Sequence, residues 1–376
     1  MKGIYIHIPF CRKICNYCDF YKMVVSDKFK SEYIDYLIKD IELTFDKYNI
    51  QDVNTLYIGG GTPSCLPLNL LEKLFITLLK KVELSKLEEF TIEVNPEDLT
   101  SEFVSLIKRY YVSRVSIGVQ TFDIRNYSVL GRYTDYENLK HKIELLRNNN
   151  INNYSLDLIY AIPNTTLENL EKDIDLILSL KPNHISTYSL ILEEKTILYH
   201  QYLKHNIEMI DEKIDAKMYE LIQKKLLENG YYQYETSNFS LSGYESKHNL
   251  IYWNYDEYYG IGAAGSSFVG NKRFTRVSNI KEYYRLLDLK EEPCEEIEIL
   301  DQERLIEDYI MLGLRKTKGI NVEDFNKRFE VSIFDIYPKI KQLIDDDLLK
   351  FDNNYLYINK KYLYISNFII SKILFD

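Results

Sequence analysis

Three of the chain's five cysteines, Cys11, Cys15 and Cys18, fall within eight residues, directly after an apolar run that reads as a strand. Thiolates crowded that closely repel one another unless a cation or a metal cluster holds them. Zinc sites commonly pair cysteines as C-x2-C or C-x4-C and close with a fourth ligand, and no such ligand follows nearby. A cubane iron–sulfur cluster suits three cysteines on one short loop, because each thiolate takes one iron and the fourth iron stays open. That open iron can bind a small molecule through its amino and carboxylate groups. The competing reading is three buried cysteines or a partial zinc site.

A chain of 376 residues can bury a full-sized core and is expected to form one large domain and one small one. No apolar run approaches the roughly 18 residues that span a bilayer, and the first residues enter a strand at once, without a leader pattern. The expectation is a cytoplasmic protein with at most a peripheral association with membrane. Few, clustered cysteines exclude a disulfide framework and agree with a reducing compartment; Cys65 and Cys294 read as isolated thiols. A net charge of −10 excludes a general nucleic-acid binder and weakens the case for binding anionic lipid.

From residue 1 to about 230, β-rich runs alternate with amphipathic stretches. The strands are Gly3–Ile8, Thr55–Gly59, Glu89–Val94, Arg114–Val119, Tyr154–Tyr160 and His184–Leu190. The helical patterns include Phe29–Tyr48, Leu68–Val82, Glu137–Asn148, Leu167–Leu180 and Asp211–Glu228. Six strand–helix units imply parallel strands with right-handed crossovers, too few to close an eight-stranded barrel. The fold class is therefore α/β, an open, partial (β/α)6 TIM-like barrel over residues 1–230, with chemistry at the carboxyl ends of its strands. Residues 231–300 read as a connecting region, with a strand at Tyr231–Glu235 and a loop-rich segment at Ser237–Gly270. Residues 301–376 read as a small α+β, winged-helix-like unit: helices Gln302–Lys316, Val322–Arg328 and Ile333–Asp346, a hairpin, Leu349–Phe351 with Tyr355–Ile358, and a last helix. With 12 basic and 13 acidic residues, this unit has no electrostatic basis for binding DNA and reads as a cap or a docking module.

Seven of only 14 glycines sit in two clusters, Gly59–Gly61 and Gly260–Gly270. The first ends the second strand, in Gly59–Pro63, where successive glycines let main-chain groups approach a ligand closely. Other strand ends carry polar residues: Glu93 on the third, Gln120 on the fourth, Arg132 just beyond it, and Asp157 inside the apolar fifth. A carboxylate in such a strand is costly to bury without a partner. Taken singly, each is equally well read as a satisfied structural contact.

Together, the runs Tyr5–Phe20, Ile58–Pro63, Glu93–Pro96, Arg114–Phe122, Leu130–Arg132 and Ser155–Tyr160 resemble the oxygen-independent coproporphyrinogen III dehydrogenase family of radical S-adenosylmethionine (SAM) proteins. Within it they most resemble the HemW-type heme-chaperone branch, and the likeness continues through Tyr234–Phe268 and Tyr309–Ile320. The resemblance implies that Cys11, Cys15 and Cys18 ligate a 4Fe–4S cluster with SAM at the fourth iron. It also implies SAM contacts from Tyr5, Tyr17, Gly60, Gly61, Thr62, Glu93, Gln120, Arg132 and Asp157, and from a position near Ile191. The polar strand ends would then meet the ribose hydroxyls, the adenine edge and the methionine carboxylate.

Two features separate the branches. The dehydrogenases resembled here carry a further cysteine two residues after the third, where this chain has Phe20, and a long arm before the strand, where this chain has ten residues before Cys11. Both point to the chaperones. So does His248–Trp253, which resembles their HNxxYW element and would let His248 ligate heme iron while Tyr252 and Trp253 cover the porphyrin. One departure follows: Ser266 stands where the chaperones commonly have a histidine. The expected function is a heme chaperone that passes heme to an acceptor hemoprotein, respiratory and membrane-associated, with flavodoxin or ferredoxin as electron donor. The alternatives are a coproporphyrinogen III dehydrogenase and a winged-helix regulator with a redox-sensing cluster.

Overall fold

Alternation within the strands decides which way the sheet faces. In the first strand Ile4, Ile6 and Ile8 are fully buried under helices, while Tyr5 and His7 point to the opposite, concave side. The computed structural model describes residues Met1–Phe375. Its parallel strands β1 (Lys2–Ile8), β2 (Thr55–Gly60), β3 (Glu89–Val94), β4 (Arg114–Gln120), β5 (Tyr154–Tyr160) and β6 (His184–Ser189) lie side by side in chain order. The intervening helices are α1 (Asp27–Tyr48), α2 (Leu68–Lys81), α3 (Ser101–Arg109), a single turn α4 (Tyr127–Leu130), α5 (Tyr136–Asn148) and α6 (Leu167–Ser179). After β6 come α7 (Ile197–Leu203) and α8 (Glu212–Glu228). Side-chain caps set several starts: Ser26 accepts from Phe29 N–H, Thr100 from Phe103 N–H, and Thr166 forms a capping box with Asn169. The helix α3, which the sequence reading does not single out, has nine residues and so offers only about two and a half turns of periodicity.

The largest difference from expectation lies between residues 231 and 300. The strand expected at Tyr231–Glu235 shrinks to β7 (Tyr232–Gln233), and the supposed loop Ser237–Gly270 holds β8 (Asn238–Ser240), α9 (Lys247–Trp253), β9 (Glu257–Ile261) and β10 (Ser266–Val269). Strand β9 pairs in parallel with β1, and β10, β11 (Lys272–Arg276) and β12 (Cys294–Ile299), the last after α10 (Ile280–Asp288), continue the sheet antiparallel. The result is one 12-stranded sheet, β12-β11-β10-β9-β1-β2-β3-β4-β5-β6-β8-β7. Gly260 serves strand packing, since a Cβ there would collide with the Ser266 carbonyl, whereas Gly262 and Gly270 hold positive φ where the chain turns. Buried Arg276 locks this extension to α1, bridging Asp40 at 3.3 Å and Glu292 at 2.7 Å.

The last segment comprises α11 (Gln302–Gly313), β13 (Ile320–Asn321), α12 (Val322–Phe329), α13 (Ile333–Ile336), α14 (Lys339–Asp345), β14 (Leu349–Asp352), β15 (Tyr355–Ile358) and α15 (Ser366–Leu374), with a separate sheet β13-β15-β14. The helix expected over Ile333–Asp346 is split at Tyr337 and Pro338, because proline disfavours helical backbone before it and lacks an amide hydrogen.

Candidate functional site

The cysteine loop leaves β1 at its carboxyl end and is held from three sides. Cys11 N–H donates to Met23 C=O at 3.0 Å, and Asn16 bonds Leu130 C=O and Val129 C=O, both at 3.0 Å. Arg12 Nε reaches Asp98 at 2.8 Å, beyond β3. Gly131 has a φ of 77°, and a Cβ there would press on Asn16 at 3.1 Å, so the glycine lets the two segments meet. Burial raises the Cys11 and Cys18 thiols above their ordinary value, so a metal must displace those protons. Among the described residues no three His, Cys, Asp or Glu side chains converge on one point, which a single zinc ion requires. A cubane asks the reverse, one iron per thiolate, and the three cysteines line one cavity. The donor set therefore fits a cluster better than an ion.

That cavity, of about 420 Å³, lies at the carboxyl ends of β1 to β6. It brings together Cys11, Cys15, Tyr17 and Cys18 with Gly60, Gly61 and Thr62. Glu93, Gln120, Arg132, Asp157 and Ile191 line it too. Gly60 has a φ of 114°, and a Cβ on Gly61 would lie 2.6 Å from Phe10 O, so the glycine loop presses directly on the strand that feeds the cysteines. Gly61 and Thr62 N–H donate to Ile8 and Phe10 carbonyls at 2.8 and 2.7 Å, and Thr62 Oγ1 donates to Cys11 Sγ at 3.6 Å.

Behind this lip, Glu93 accepts from Gly60 N–H at 3.0 Å and from the Tyr57 hydroxyl at 2.8 Å. Burial pushes its carboxyl up to about 7, against the pull of those bonds. Arg132 donates to Gly118 O at 2.7 Å and Asn95 Oδ1 at 3.1 Å. Gln120 sits at a φ of 69°, where the strand turns off. Burial likewise raises Asp157, which Ser116 and Ser155 hydroxyls approach at 3.5 Å. Such a cavity can orient a polar ligand by fixed donors and acceptors, while Val94, Ile159 and Leu190 exclude water.

The remaining candidates fall elsewhere. Tyr5 lines a second, lateral cavity of about 360 Å³, with its hydroxyl 3.0 Å from His7 Nδ1. His248 is not presented to any ligand in this conformation. It is 1% exposed, Nδ1 lies 2.7 Å from Thr55 Oγ1 and Nε2 lies 2.8 Å from Tyr252 Oη. Direct iron ligation by His248 would require one of these two contacts to open, the other nitrogen keeping its own. Tyr252 lines the lateral cavity, whereas Trp253 lines neither and lies under the Arg315 guanidinium at 5.8 Å. The expected heme triad is therefore not gathered on one surface. Helix α9 packs at the opposite end of the strands from the cysteines, where Glu89 accepts its Lys247 and His248 N–H groups at 2.9 and 3.1 Å.

Sequence reasoning missed Asn249, Ser186 and Tyr188, which also line the cluster-side cavity. The serine and tyrosine were legible as alternate residues of β6; Asn249 had no signal except its place in the motif.

A cysteine loop on the first of six parallel strands, over a glycine-lipped cavity, is the arrangement of the radical SAM superfamily, whose model matches residues 5–177. The HemN C-terminal domain model matches residues 300–361. The chain is 38% identical to the heme chaperone HemW of Lactococcus lactis, across 99% of this chain and 97% of that protein. It is 36% identical to HemW of Bacillus subtilis across 95% of each. The chain belongs to the HemW family. Its fold matches coproporphyrinogen III oxidase (HemN) of Escherichia coli with a TM-score of 0.84 over 100% of this chain and 90% of that one, at 19% identity. Membership of the superfamily implies a 4Fe–4S cluster and SAM. Among the described residues no helix is long and apolar enough to cross a membrane.

Proposed function

We propose that this chain is a heme chaperone on a radical SAM scaffold. Cys11, Cys15 and Cys18 would hold the 4Fe–4S cluster, and the cavity residues Tyr17, Gly60, Gly61, Thr62, Glu93, Gln120, Arg132, Asp157 and Ile191 would hold SAM, with Tyr5 behind them. When bound, the cluster and SAM supply reductive chemistry; the protein's part is placement and exclusion of water and oxygen. Glu93 holds the Gly60 amide in place, so the lip keeps its shape when a ligand arrives. The observation that carries the heme reading is the end-to-end likeness to two heme chaperones, joined by Phe20 at the position where the dehydrogenases carry another cysteine.

The acceptor is proposed to be a respiratory, membrane-associated hemoprotein, the electron donor a flavodoxin or ferredoxin, and the site of action the cytoplasm. The division into units at residues 230 and 300 belongs to the same proposal, with residues 301–376 as a cap or docking module. The test is to incubate the cluster-reconstituted protein with hemin under argon and follow heme onto an apo-hemoprotein, with a parallel incubation with coproporphyrinogen III. Transfer without porphyrinogen turnover is expected. Turnover to protoporphyrinogen IX, or failure to retain heme, would overturn the reading.

A further inference from the structure

The cluster-side cavity reaches from the cysteine loop down to Asn249 of α9, at the opposite end of the strands. Its floor holds a charge that nothing in the fold uses. Arg114, the first residue of β4, lines the cavity while only 2% exposed. Alternation along β4 puts Arg114 and Ser116 on the concave side, with Val115 and Ile117 buried under the helices. The Arg114 Nε is buried without a partner, and among the described residues no hydrogen bond or ion pair holds the rest of the guanidinium. Burying such a group unpaired is costly.

Its cross-strand neighbour is equally unsatisfied. Thr91 of β3 stands opposite Arg114 in the sheet register, is fully buried, and has no partner for its Oγ1. Alternation along β3 turns Thr91 to the concave side with Glu89 and Glu93. Ser116 and Ser186 add hydroxyls to the same cavity. The carboxylate that acts most strongly on Arg114 is Glu89, whose oxygens already accept from Ser246 Oγ at 3.4 Å and from Lys247 and His248 N–H at 2.9 and 3.1 Å. It balances the arginine's charge from a distance without engaging the guanidinium. Higher in the cavity, burial raises both Glu93 and Asp157, which favours their neutral forms and lessens their opposition to an incoming anion.

We propose that the floor of this cavity is a carboxylate subsite, in which the Arg114 fork takes both oxygens of a small carboxylic acid and Thr91 Oγ1 donates a further hydrogen bond. A planar guanidinium meets a carboxylate with two parallel N–H···O bonds, so it selects that shape as well as that charge. The acid is a second ligand, separate from SAM. Glu93 and Gln120, assigned to SAM, lie further along the same two strands toward the cysteine loop, and neither Arg114 nor Thr91 is among the residues so assigned. A neutral analogue of the same shape leaves the guanidinium buried and unpaired, and the site rejects it for that reason. The subsite stands independently of the heme reading.

The test is fluorine NMR of 4-fluorobenzoate added to the cluster-reconstituted full chain under argon, beside the neutral 4-fluorobenzamide. The benzoate is expected to bind at least about tenfold more tightly than the amide. Arg114→Met should lose that preference while still forming its four-iron chromophore, which reports folding. Thr91→Val removes one donor with little change of shape and should weaken the benzoate about fivefold, the worth of one hydrogen bond; it decides the matter if the arginine variant does not fold. Absence of benzoate binding, equal binding of the two probes, or a preference that survives Arg114→Met would overturn the proposal. So would an unchanged benzoate affinity in Thr91→Val. Displacement of the benzoate by an equal concentration of inorganic phosphate would overturn it too, by making the floor a general anion site. None of these results bears on the chaperone reading, which the heme-transfer assay decides.

Discussion

The Glu93 carboxylate accepts the Gly60 amide hydrogen at 3.0 Å, tying strand β3 to the glycine lip over the cysteine loop. Its other oxygen takes the Tyr57 hydroxyl, so one buried side chain satisfies two donors. Glu93→Ala leaves both unpaired, at a cost of about 1–3 kcal/mol in stability, and frees the lip. Denaturant unfolding and equilibrium SAM binding to the reconstituted protein should both show the loss. Glu93→Gln can still accept from Gly60 and should recover most of the stability. An alanine variant that behaves as wild type in both measurements would remove Glu93 from the site.

The cysteines make a sharper contrast. Cys11→Ala, Cys15→Ala and Cys18→Ala should each abolish the four-iron chromophore after reconstitution with iron and sulfide under argon. Cys65 is buried, with its thiol against Phe10 O at 3.4 Å and pushed up to about 11 by burial. Cys65→Ala should therefore retain full iron and sulfide content. Equal loss in all four would mean that the chromophore reports folding rather than ligation.

Gly61→Ala tests the close approach of two chain segments. A methyl group there would lie 2.6 Å from the Phe10 carbonyl oxygen and 2.9 Å from its nitrogen, both main-chain atoms that cannot rotate away. Overpacking of this kind costs about 1–3 kcal/mol. The expected result is weakened SAM binding and a lower denaturation midpoint. By contrast, Gly243→Ala has open space around it, and strain from its φ of 83° is its main penalty, so SAM affinity should be unchanged.

His184 gives the fold a pH dependence with a definite sign. The ring is fully buried between Ser155 Oγ at 2.7 Å and Tyr234 Oη at 2.8 Å, and burial, with the Arg114 charge, lowers it well below its ordinary 6.5. Below that pH the unfolded chain takes up a proton that the folded chain refuses. The contribution is therefore complete above pH 6.5 and falls as the solution is acidified, by up to about 1.4 kcal/mol per pH unit. Buried carboxyls slope the opposite way, among them Glu93 and Glu235, raised to about 7, and Asp173, raised to about 6. The measurement is thus a difference, the unfolding free energy of wild type minus that of His184→Gln between pH 7.5 and 5.5, which should decrease with acid. A flat difference would show that the ring titrates in the folded chain as it does in the unfolded one.

How much of this could be read from residues alone depends on the range over which each feature is written. The barrel was legible because its signals are local: β-rich runs give way to helical periodicity six times, and the cysteines lie within one loop. The polar strand ends were legible from the two-residue alternation, which puts Glu93 and Asp157 on the concave side. What was not legible lies in long-range partnerships. Nothing near His248 announces that its ring is already spoken for, since Thr55 lies 193 positions away. Strands β9 to β12 were obscured for a related reason: Gly260 looks like a turn residue until its approach to Ser266 shows that it lets two backbones touch. The helix break at Pro338, by contrast, was written plainly and overlooked.

Strand β1 is the common rail of this molecule. On one side it hydrogen-bonds β2, which ends in the glycine lip; on the other it hydrogen-bonds β9, which continues directly from α9 and its Tyr252. Its own next residues are the cysteine loop. Phe20, Gly60 and Glu93 face both hollows, so the lip beside the cysteine loop is at the same time a wall of the lateral slot.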